Sequence, residues 1–302
     1  MRKLFLYTLL IFITPNIKAQ WLVDYGFKFG ASNYLGDIGG KDKTRRDFVA
    51  DMKLSKTRWN TGVFYRRQLR SRDVFIKTSL DYLRIEGDDK LSTNLGRVLR
   101  NFNFRNDIFD LSLTGEWVFK EIKDIGNTYR FRNSFRAYLF AGIGVLYSDP
   151  KSYYQGKWVS MRHYKSEGYM YSPVVASIPF GFGFYFTFEK RHRFGFEMNF
   201  RKTFTDYLDD ISSKYVSKAP KDPYAQGLIL RTGELDSEFL KENSIAALSH
   251  NWGEKRGDNT HKDAFMTINF SYSRVIKGRL SFYNKRYGFL GGRKMKKIRT
   301  KF

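Results

Sequence analysis

The chain has 302 residues, a formal net charge of +24, no cysteine, and aromatic residues at 18% of its positions. Without cysteine it forms no disulfide, holds no thiolate-bound metal, offers no Cys nucleophile and cannot carry the lipid of a lipoprotein. A positive charge of this size is typical of proteins that bind nucleic acid. The N-terminal sequence argues against such binding.

The N-terminus has the pattern of an export signal. A basic start precedes an apolar run from Leu4 to Ile13, and Ala19 stands immediately before Gln20. These features are typical of a secretory signal peptide, and the run is shorter than the roughly 20 residues of a membrane-spanning helix. We therefore predict a signal peptide over residues 1–19. Because an exported basic chain meets anionic lipid or acidic protein, we expect no nucleic-acid partner.

Eight segments of the remaining chain alternate apolar and polar residues. In residues 174–188, for example, every even position is apolar. This period of two is typical of a strand with one face on lipid and the other on a polar, filled interior. The segments run over about 21–32, 58–67, 74–84, 107–119, 135–147, 174–188, 192–205 and 263–274.

The connections between these segments differ in length in a regular way. Residues 68–73 and 189–191 are tight turns and 120–134 is a connection of moderate length, whereas 33–57, 86–106, 148–173 and 206–262 are long loops. Outer-membrane barrels have short periplasmic turns, long extracellular loops and, for an even number of strands, both termini in the periplasm. The sequence therefore predicts an all-β fold, an eight-stranded antiparallel up-and-down transmembrane β-barrel over 20–274. A basic periplasmic C-terminal tail follows over 275–302.

Charged residues fall on the face that we predict to point into the barrel. The lumen of an eight-stranded barrel is only wide enough to be filled by side chains, and buried charges are tolerated when they are paired. We therefore interpret the inward charges as a structural plug, with a proton or ion path as the alternative. These residues are Asp24, Lys28, Lys77, Asp81, Glu116, Glu197 and Arg201.

Lysine and arginine concentrate in the short turns and in the tail. Our count for this end of the barrel includes Arg66, Arg136 and Arg193. Contact with anionic lipid head groups explains basic turns, but aromatic residues interrupt the basic tail, and aromatics with arginine are enriched in protein interfaces. We predict a docking surface for a periplasmic protein, with a tail lying on the membrane or a disordered tail as alternatives. The predicted contact residues are Arg67, Arg70, Arg72, Lys123, Arg130, Arg132, Lys190, Arg191, Lys285, Arg286, Tyr287, Phe289, Arg293, Lys294, Lys296 and Lys297.

No pattern in the chain predicts catalysis or a cofactor. The serines on predicted strands, Ser177 and Ser271, have no histidine near them in the sequence. The histidines have no metal-ligand spacing; they are His163, His192, His250 and His261. We therefore predict that the protein is not an enzyme and takes no cofactor.

Three aspartates follow the seventh predicted strand. Asp206, Asp209 and Asp210 could offer oxygen ligands to calcium, but their spacing is not that of an EF-hand. We interpret them as a solvated or capping cluster, with a calcium site as the alternative.

Two segments go beyond a generic barrel. Residues 30–40 read GASNYLGDIGG and residues 201–212 read RKTFTDYLDDIS. Both resemble segments of the PorG-type outer-membrane barrels of the Bacteroidota, the barrel component of the type IX secretion system. The Ala-Gln pair after the signal peptide is also usual in that phylum.

The resemblance implies a non-enzymatic outer-membrane anchor. Its partners would be outer-membrane lipid and the periplasmic ring of the secretion machine, which a lipoprotein and its partner build. The resemblance gives no catalytic residues for this chain. The residues themselves leave two other functions open, a passive transport barrel for small solutes or ligands and a surface receptor or adhesion barrel.

Overall fold

The computed structural model describes residues 22–36, 38, 54–69, 73–123, 125, 133–235, 251–259 and 262–277. The predicted signal peptide and the tail beyond Lys277 lie outside these residues. The statements below concern the described part of the chain.

Ten antiparallel strands form one sheet, and eight of them close into a barrel. The sheet order is β3-β2-β1-β10-β9-β8-β5-β4-β6-β7, and an additional pairing of β3 with β4 closes the cylinder. The predicted eight-stranded antiparallel barrel is therefore confirmed. The strands are β1 (Leu22–Leu35), β2 (Arg58–Gln68), β3 (Val74–Asp88), β4 (Asn103–Lys123), β5 (Ser134–Tyr147), β6 (Pro150–Tyr154), β7 (Lys157–Ser160), β8 (Val174–Phe188), β9 (His192–Thr203) and β10 (Ala264–Lys277).

Several strands are longer than the sequence predicts. β3 continues to Asp88 and β4 starts at Asn103, and these two residues pair with each other. At the other end β10 continues to Lys277, past the predicted barrel end at residue 274, and pairs there with Leu22. The alternation of apolar and polar residues ends before the strand pairing ends. Beyond the lipid, the outward side of a paired strand can be polar, so the sequence pattern underestimates the strand length.

The outward face is apolar on all eight barrel strands. Phe29 exposes 57% of its surface and Ile143 exposes 67%. A contiguous band of this kind is far larger than the apolar patches of soluble monomers and is typical of the lipid-facing surface of an outer-membrane barrel. One exposed residue from each strand in chain order marks the band: Phe27, Val63, Leu80, Leu113, Ile143, Phe182, Phe194 and Phe270.

The two ends of the barrel differ. We call the end with the β2–β3, β4–β5 and β8–β9 connections the turn end, and the opposite end the loop end. At the loop end, α1 (Leu95–Arg100), the β6–β7 hairpin and α2 (Pro223–Ile229) belong to a cap formed by residues 89–102, 148–173, 204–235 and 251–259. No helix among the described residues is long and apolar enough to cross a membrane.

Three layers of side chains fill the interior. An apolar cluster near the turn end consists of Phe75, Val118, Tyr138, Phe140 and Tyr185. A larger apolar cluster joins the loop end of the strands to the cap and includes Leu83, Ile108, Phe265 and the cap residues Phe102, Met161, Leu208 and Leu228. Charged side chains occupy a layer that adjoins both clusters: Lys77 lies 4.8 Å from the ring centre of Phe140 in the first, and Arg201 lies 5.7 Å from that of Phe265 in the second.

Candidate functional site

The charged layer contains as many carboxylates as cations. We call it the lumen network. Its five carboxylates and five cations are all buried. They are Asp24, Asp81, Asp110, Glu116 and Glu197, with Lys28, Arg66, Lys77, Arg193 and Arg201. Its formal charge is therefore zero, which is the condition under which buried charges are tolerated.

One half of the network is built around Arg66. Its guanidinium lies 3.3 Å from Asp24 and 2.7 Å from Glu116. Asp24 also pairs with Arg193 at 2.9 Å and accepts a hydrogen bond from Ser273. Glu116 pairs in turn with Lys77 at 3.1 Å, and Lys77 pairs with Glu197. Every member of this half has an opposite charge within bonding distance.

The other half is built around Arg201. Asp81 lies 2.9 Å from Lys28 and 3.0 Å from Arg201, and Arg201 also pairs with Asp110. Lys28 and Arg201 come from β1 and β9, while the two aspartates come from β3 and β4. The ion pairs therefore cross the lumen rather than run along one strand.

The structure places all seven predicted plug residues in this layer, and each has an oppositely charged partner. Sequence reasoning missed Arg66, Arg193 and Asp110 as members. Our count had assigned Arg66 and Arg193 to the basic turn end, which is wrong because both side chains are buried in the lumen. Arg66 is at an even position of β2 and Arg193 at an odd position of β9, and these positions face inward on the two strands. The two-residue period of a strand is therefore the sequence signal that indicates their burial.

The basic turn end is less basic than the sequence suggests for a second reason. Arg136 pairs with Glu121 at 2.6 Å, so its charge is compensated locally. Four predicted contact residues belong to the described part of the turn end: Arg67, Lys123, Lys190 and Arg191. The others lie outside the described residues: Arg70, Arg72, Arg130, Arg132, Lys285, Arg286, Tyr287, Phe289, Arg293, Lys294, Lys296 and Lys297.

The aspartates after β9 are buried, so the prediction of a solvated cluster was wrong, whereas Asp209 does cap a neighbouring amide. Asp206, Asp209 and Asp210 expose 1% or less of their surface. Asp209 accepts hydrogen bonds from the Tyr34 hydroxyl at 2.7 Å and from the Ile211 amide at 2.9 Å. Because Tyr34 and Asp209 belong to the two resemblance segments, the structure brings these distant segments together inside the loop end.

Asp210 joins three parts of the cap. It accepts hydrogen bonds from Ser166 and from Tyr171, both at 2.8 Å, and pairs with Arg256 at 2.9 Å. Burial raises the pKa of the Asp210 carboxyl above its usual value, while Arg256 opposes this shift. Burial also raises the pKa of the Tyr171 phenol, and the neighbouring Asp210 charge adds to the shift. The aspartates therefore hold the cap together.

The histidines and acidic residues do not form a metal site in the described part of the chain. Among the residues that the structure describes, no three His, Asp or Glu side chains converge on a point that could hold a metal ion. His163 lies in the cap, and the Nδ1 atom of His192 lies 2.8 Å from the Tyr272 hydroxyl near the turn end. His250 and His261 lie outside the described residues.

Comparison with known proteins gives the family but no function. A family described as a domain of unknown function, DUF6089, matches residues 2–255. The chain belongs to the DUF6089 family. The DUF6089 match contains nine of the ten strands and both resemblance segments, and it ends before β10. No curated protein matches the chain.

Two solved structures are similar to this DUF6089 protein at low identity. The N-terminal β-barrel domain of Pseudomonas aeruginosa OprF has 7% identity and a TM-score of 0.34, with 85% of this chain and 98% of that chain covered. Ail, the attachment invasion locus protein of Yersinia pestis, has 10% identity and a TM-score of 0.33, with 84% and 99% covered. At these values neither match adds to what the strand pairing already shows.

Proposed function

We propose that this protein is a non-enzymatic outer-membrane barrel that anchors a periplasmic ring of the type IX secretion system. The observation that carries the proposal is the filled lumen. Two apolar clusters and a charge-balanced network of ten buried side chains fill the lumen, so an exported protein has no path through the barrel. If nothing passes through the lumen, the protein functions through contacts at its exposed surfaces.

The turn end is the surface that best suits a partner beneath the membrane. Lys123, with 67% of its side chain exposed, and the exposed Lys190 and Arg191 belong to this end. The sequence after Lys277 adds further basic residues with aromatic residues between them. Cations attract an acidic partner, while buried aromatics and arginine carry much of the binding energy in protein interfaces.

The resemblance to PorG-type barrels suggests a periplasmic ring as the partner. The predicted signal peptide suggests export toward the outer membrane. An exported outer-membrane barrel with eight strands has its short turns in the periplasm. In this orientation the basic end faces the ring that a lipoprotein and its partner build, and the capped loop end faces the exterior. Arg67, Lys123, Lys190 and Arg191 would then form the described part of the docking surface.

Photo-crosslinking in living cells tests the contact directly. A crosslinker in place of Arg286 or Tyr287 should capture a ring subunit, whereas the same crosslinker in place of the cap residue Lys218 should not. Deletion of the gene should also stop protein secretion into the medium. Labelling of lipid alone at both tail positions, or normal secretion by the deletion strain, would contradict the proposal.

A further inference from the structure

The cap contains a cleft that the anchoring role does not use. It has a volume of about 300 Å³ and lies between α1 and the segment 255–258. Four cations and one acid are among its lining residues: Arg97, Arg100, Lys255, Arg256 and Asp258. This volume is at the lower end of the range for small-molecule sites.

Two of the cations form a rigid floor and are already compensated. Arg100 donates to both carboxylate oxygens of Asp89, at 2.7 and 2.8 Å, and to the carbonyl oxygen of Arg256 at 2.7 Å. Arg256 pairs with Asp210 at 2.9 Å and lies 3.5 Å from Glu167. Although burial opposes its charge, Asp210 and Glu167 hold the pKa of Arg256 above its usual value. Both floor arginines therefore remain charged.

The other two cations have no acidic partner among the described residues. Arg97 has a buried guanidinium nitrogen, Nη1, with no hydrogen-bond acceptor in the part of the chain that the structure describes. A buried donor without an acceptor is destabilising, and a ligand oxygen that accepts from it removes this cost. Lys255, which is exposed, also lines the cleft. The cleft thus offers two cations without an ion-pair partner among the described residues, beside one acid, and the guanidinium of Arg97 is partly desolvated.

Backbone contacts fix the wall that carries Lys255. The amides of Arg256 and Gly257 donate to the carbonyl oxygen of Ser213 at 2.8 and 3.1 Å, and Lys255 forms a bridge with Lys214. A Cβ atom on Gly257 would lie only 2.6 Å from a side-chain carbon of Ile211, so the wall packs too closely for a larger residue. A site that is fixed before binding loses little entropy when a ligand enters.

We propose that this cleft binds the phosphate group of a phosphorylated sugar. Phosphate offers several acceptor oxygens to Arg97 and carries enough charge to compensate both Arg97 and Lys255. The cleft is too large for a phosphate ion alone and accommodates an attached sugar ring. A free sugar phosphate and the phosphorylated sugar of a lipopolysaccharide share this chemistry. The inference does not rest on the anchoring role.

Calorimetric titration of the purified full-length protein tests the site. Glucose 6-phosphate should bind and glucose should not. Arg97→Gln or Lys255→Gln should each weaken glucose 6-phosphate binding about tenfold, as the loss of one charge-assisted hydrogen bond predicts. The matched control is Lys157→Gln on the neighbouring hairpin, which should bind like the unchanged protein. Circular dichroism should give the same strand signal for all variants.

The outcome also identifies the source of the phosphate. Detergent-solubilised lipid A that displaces glucose 6-phosphate, when its dephosphorylated form does not, would assign the cleft to lipopolysaccharide. Binding of glucose 6-phosphate that lipid A cannot displace would assign it to a soluble ligand. Either result supports the site. No binding of either phosphorylated probe, or binding that survives in the Arg97→Gln/Lys255→Gln variant, would overturn it.

Discussion

At the scale of single residues, Arg201 shows how the lumen network depends on the pairing of each buried cation with carboxylates. It exposes 1% of its surface and pairs with Asp81 and Asp110. Its guanidinium also lies 5.7 Å from the ring centre of Phe265, which belongs to the apolar cluster above. Arg201 therefore connects the charged layer to the apolar one.

Replacement of Arg201 should cost far more stability than replacement of a surface arginine. Arg201→Met leaves two buried carboxylates with one fewer cation, and loss of one partner of a buried pair costs about 3–5 kcal/mol. Arg84→Met is the control, because the Arg84–Asp107 pair is partly exposed and exposed pairs contribute about 1 kcal/mol or less. Denaturant unfolding in detergent micelles, followed by tryptophan fluorescence, measures both. Equal losses would show that the lumen charges are not desolvated.

Tyr171 gives the cap a predictable response to alkaline pH. The folded protein raises the pKa of this phenol, chiefly by burial, so folding favours the protonated form. Its contribution is complete below the unfolded pKa of about 10 and is lost as the pH rises through the folded value. Hydrogen exchange of the cap amides should accelerate above this pH.

The variant Tyr171→Phe separates this cause from general alkaline unfolding. At neutral pH it should destabilise the cap by about 1 kcal/mol, because Asp210 loses a donor. The same variant should show a smaller alkaline acceleration than the unchanged protein. An identical alkaline response would mean that another group is responsible.

At the scale of elements, the β8–β9 turn has a conformation that its residues disfavour. The Arg191 amide donates to the Phe188 carbonyl at 3.0 Å, and the central residues Glu189 and Lys190 have φ values of 50° and 57°. Two positive φ values characterise the type I′ turn, which favours Asn-Gly. The β6–β7 turn, by contrast, already has glycine at Gly156, where φ is 82°.

Substitution of this turn should therefore stabilise the barrel. Glu189→Asn lowers the cost of left-handed backbone and Lys190→Gly removes it, for a gain of about 1–2 kcal/mol in total. The denaturation midpoint should rise with an unchanged slope. A fall in the midpoint would show that the side chains of Glu189 and Lys190 contribute more than the backbone loses.

At the scale of the whole molecule, the barrel is a closed body with two unlike ends. Two apolar clusters and the lumen network fill the described lumen, and the cap packs onto the cluster at the loop end. An ion that enters the lumen meets tightly packed side chains. The protein should therefore not conduct.

Planar-bilayer recording checks this expectation and separates an anchor from a transport barrel. The purified protein should show almost no conductance. The variant Lys77→Gln/Glu197→Gln, which removes one ion pair of the network, should also stay closed because both apolar clusters remain. Steady single-channel conductance of the unchanged protein would favour passive transport over anchoring.

The alternation of residues along each strand predicted part of the lumen network. The period of two put Asp24, Lys77 and Glu197 on inward faces, and the structure agrees. The same period places Arg66 and Arg193 inside, although both stand next to turns in the sequence. The burial of Asp209 and Asp210 does not follow from the sequence, because a polar loop sequence does not reveal that another loop covers it.

The sequence by itself determined which residues face lipid, how many strands the barrel has and in what order they follow, because alternation is a property of each strand alone. Only the tertiary structure decided which charges pair. Lys77 meets Glu197, and Arg201 meets Asp81, each across 120 residues of chain, and such contacts depend on the register of every strand between them. The β6–β7 hairpin, the buried aspartates and the phosphate cleft likewise exist only where separate loops converge, since no segment of the cap can bury its polar groups without the others.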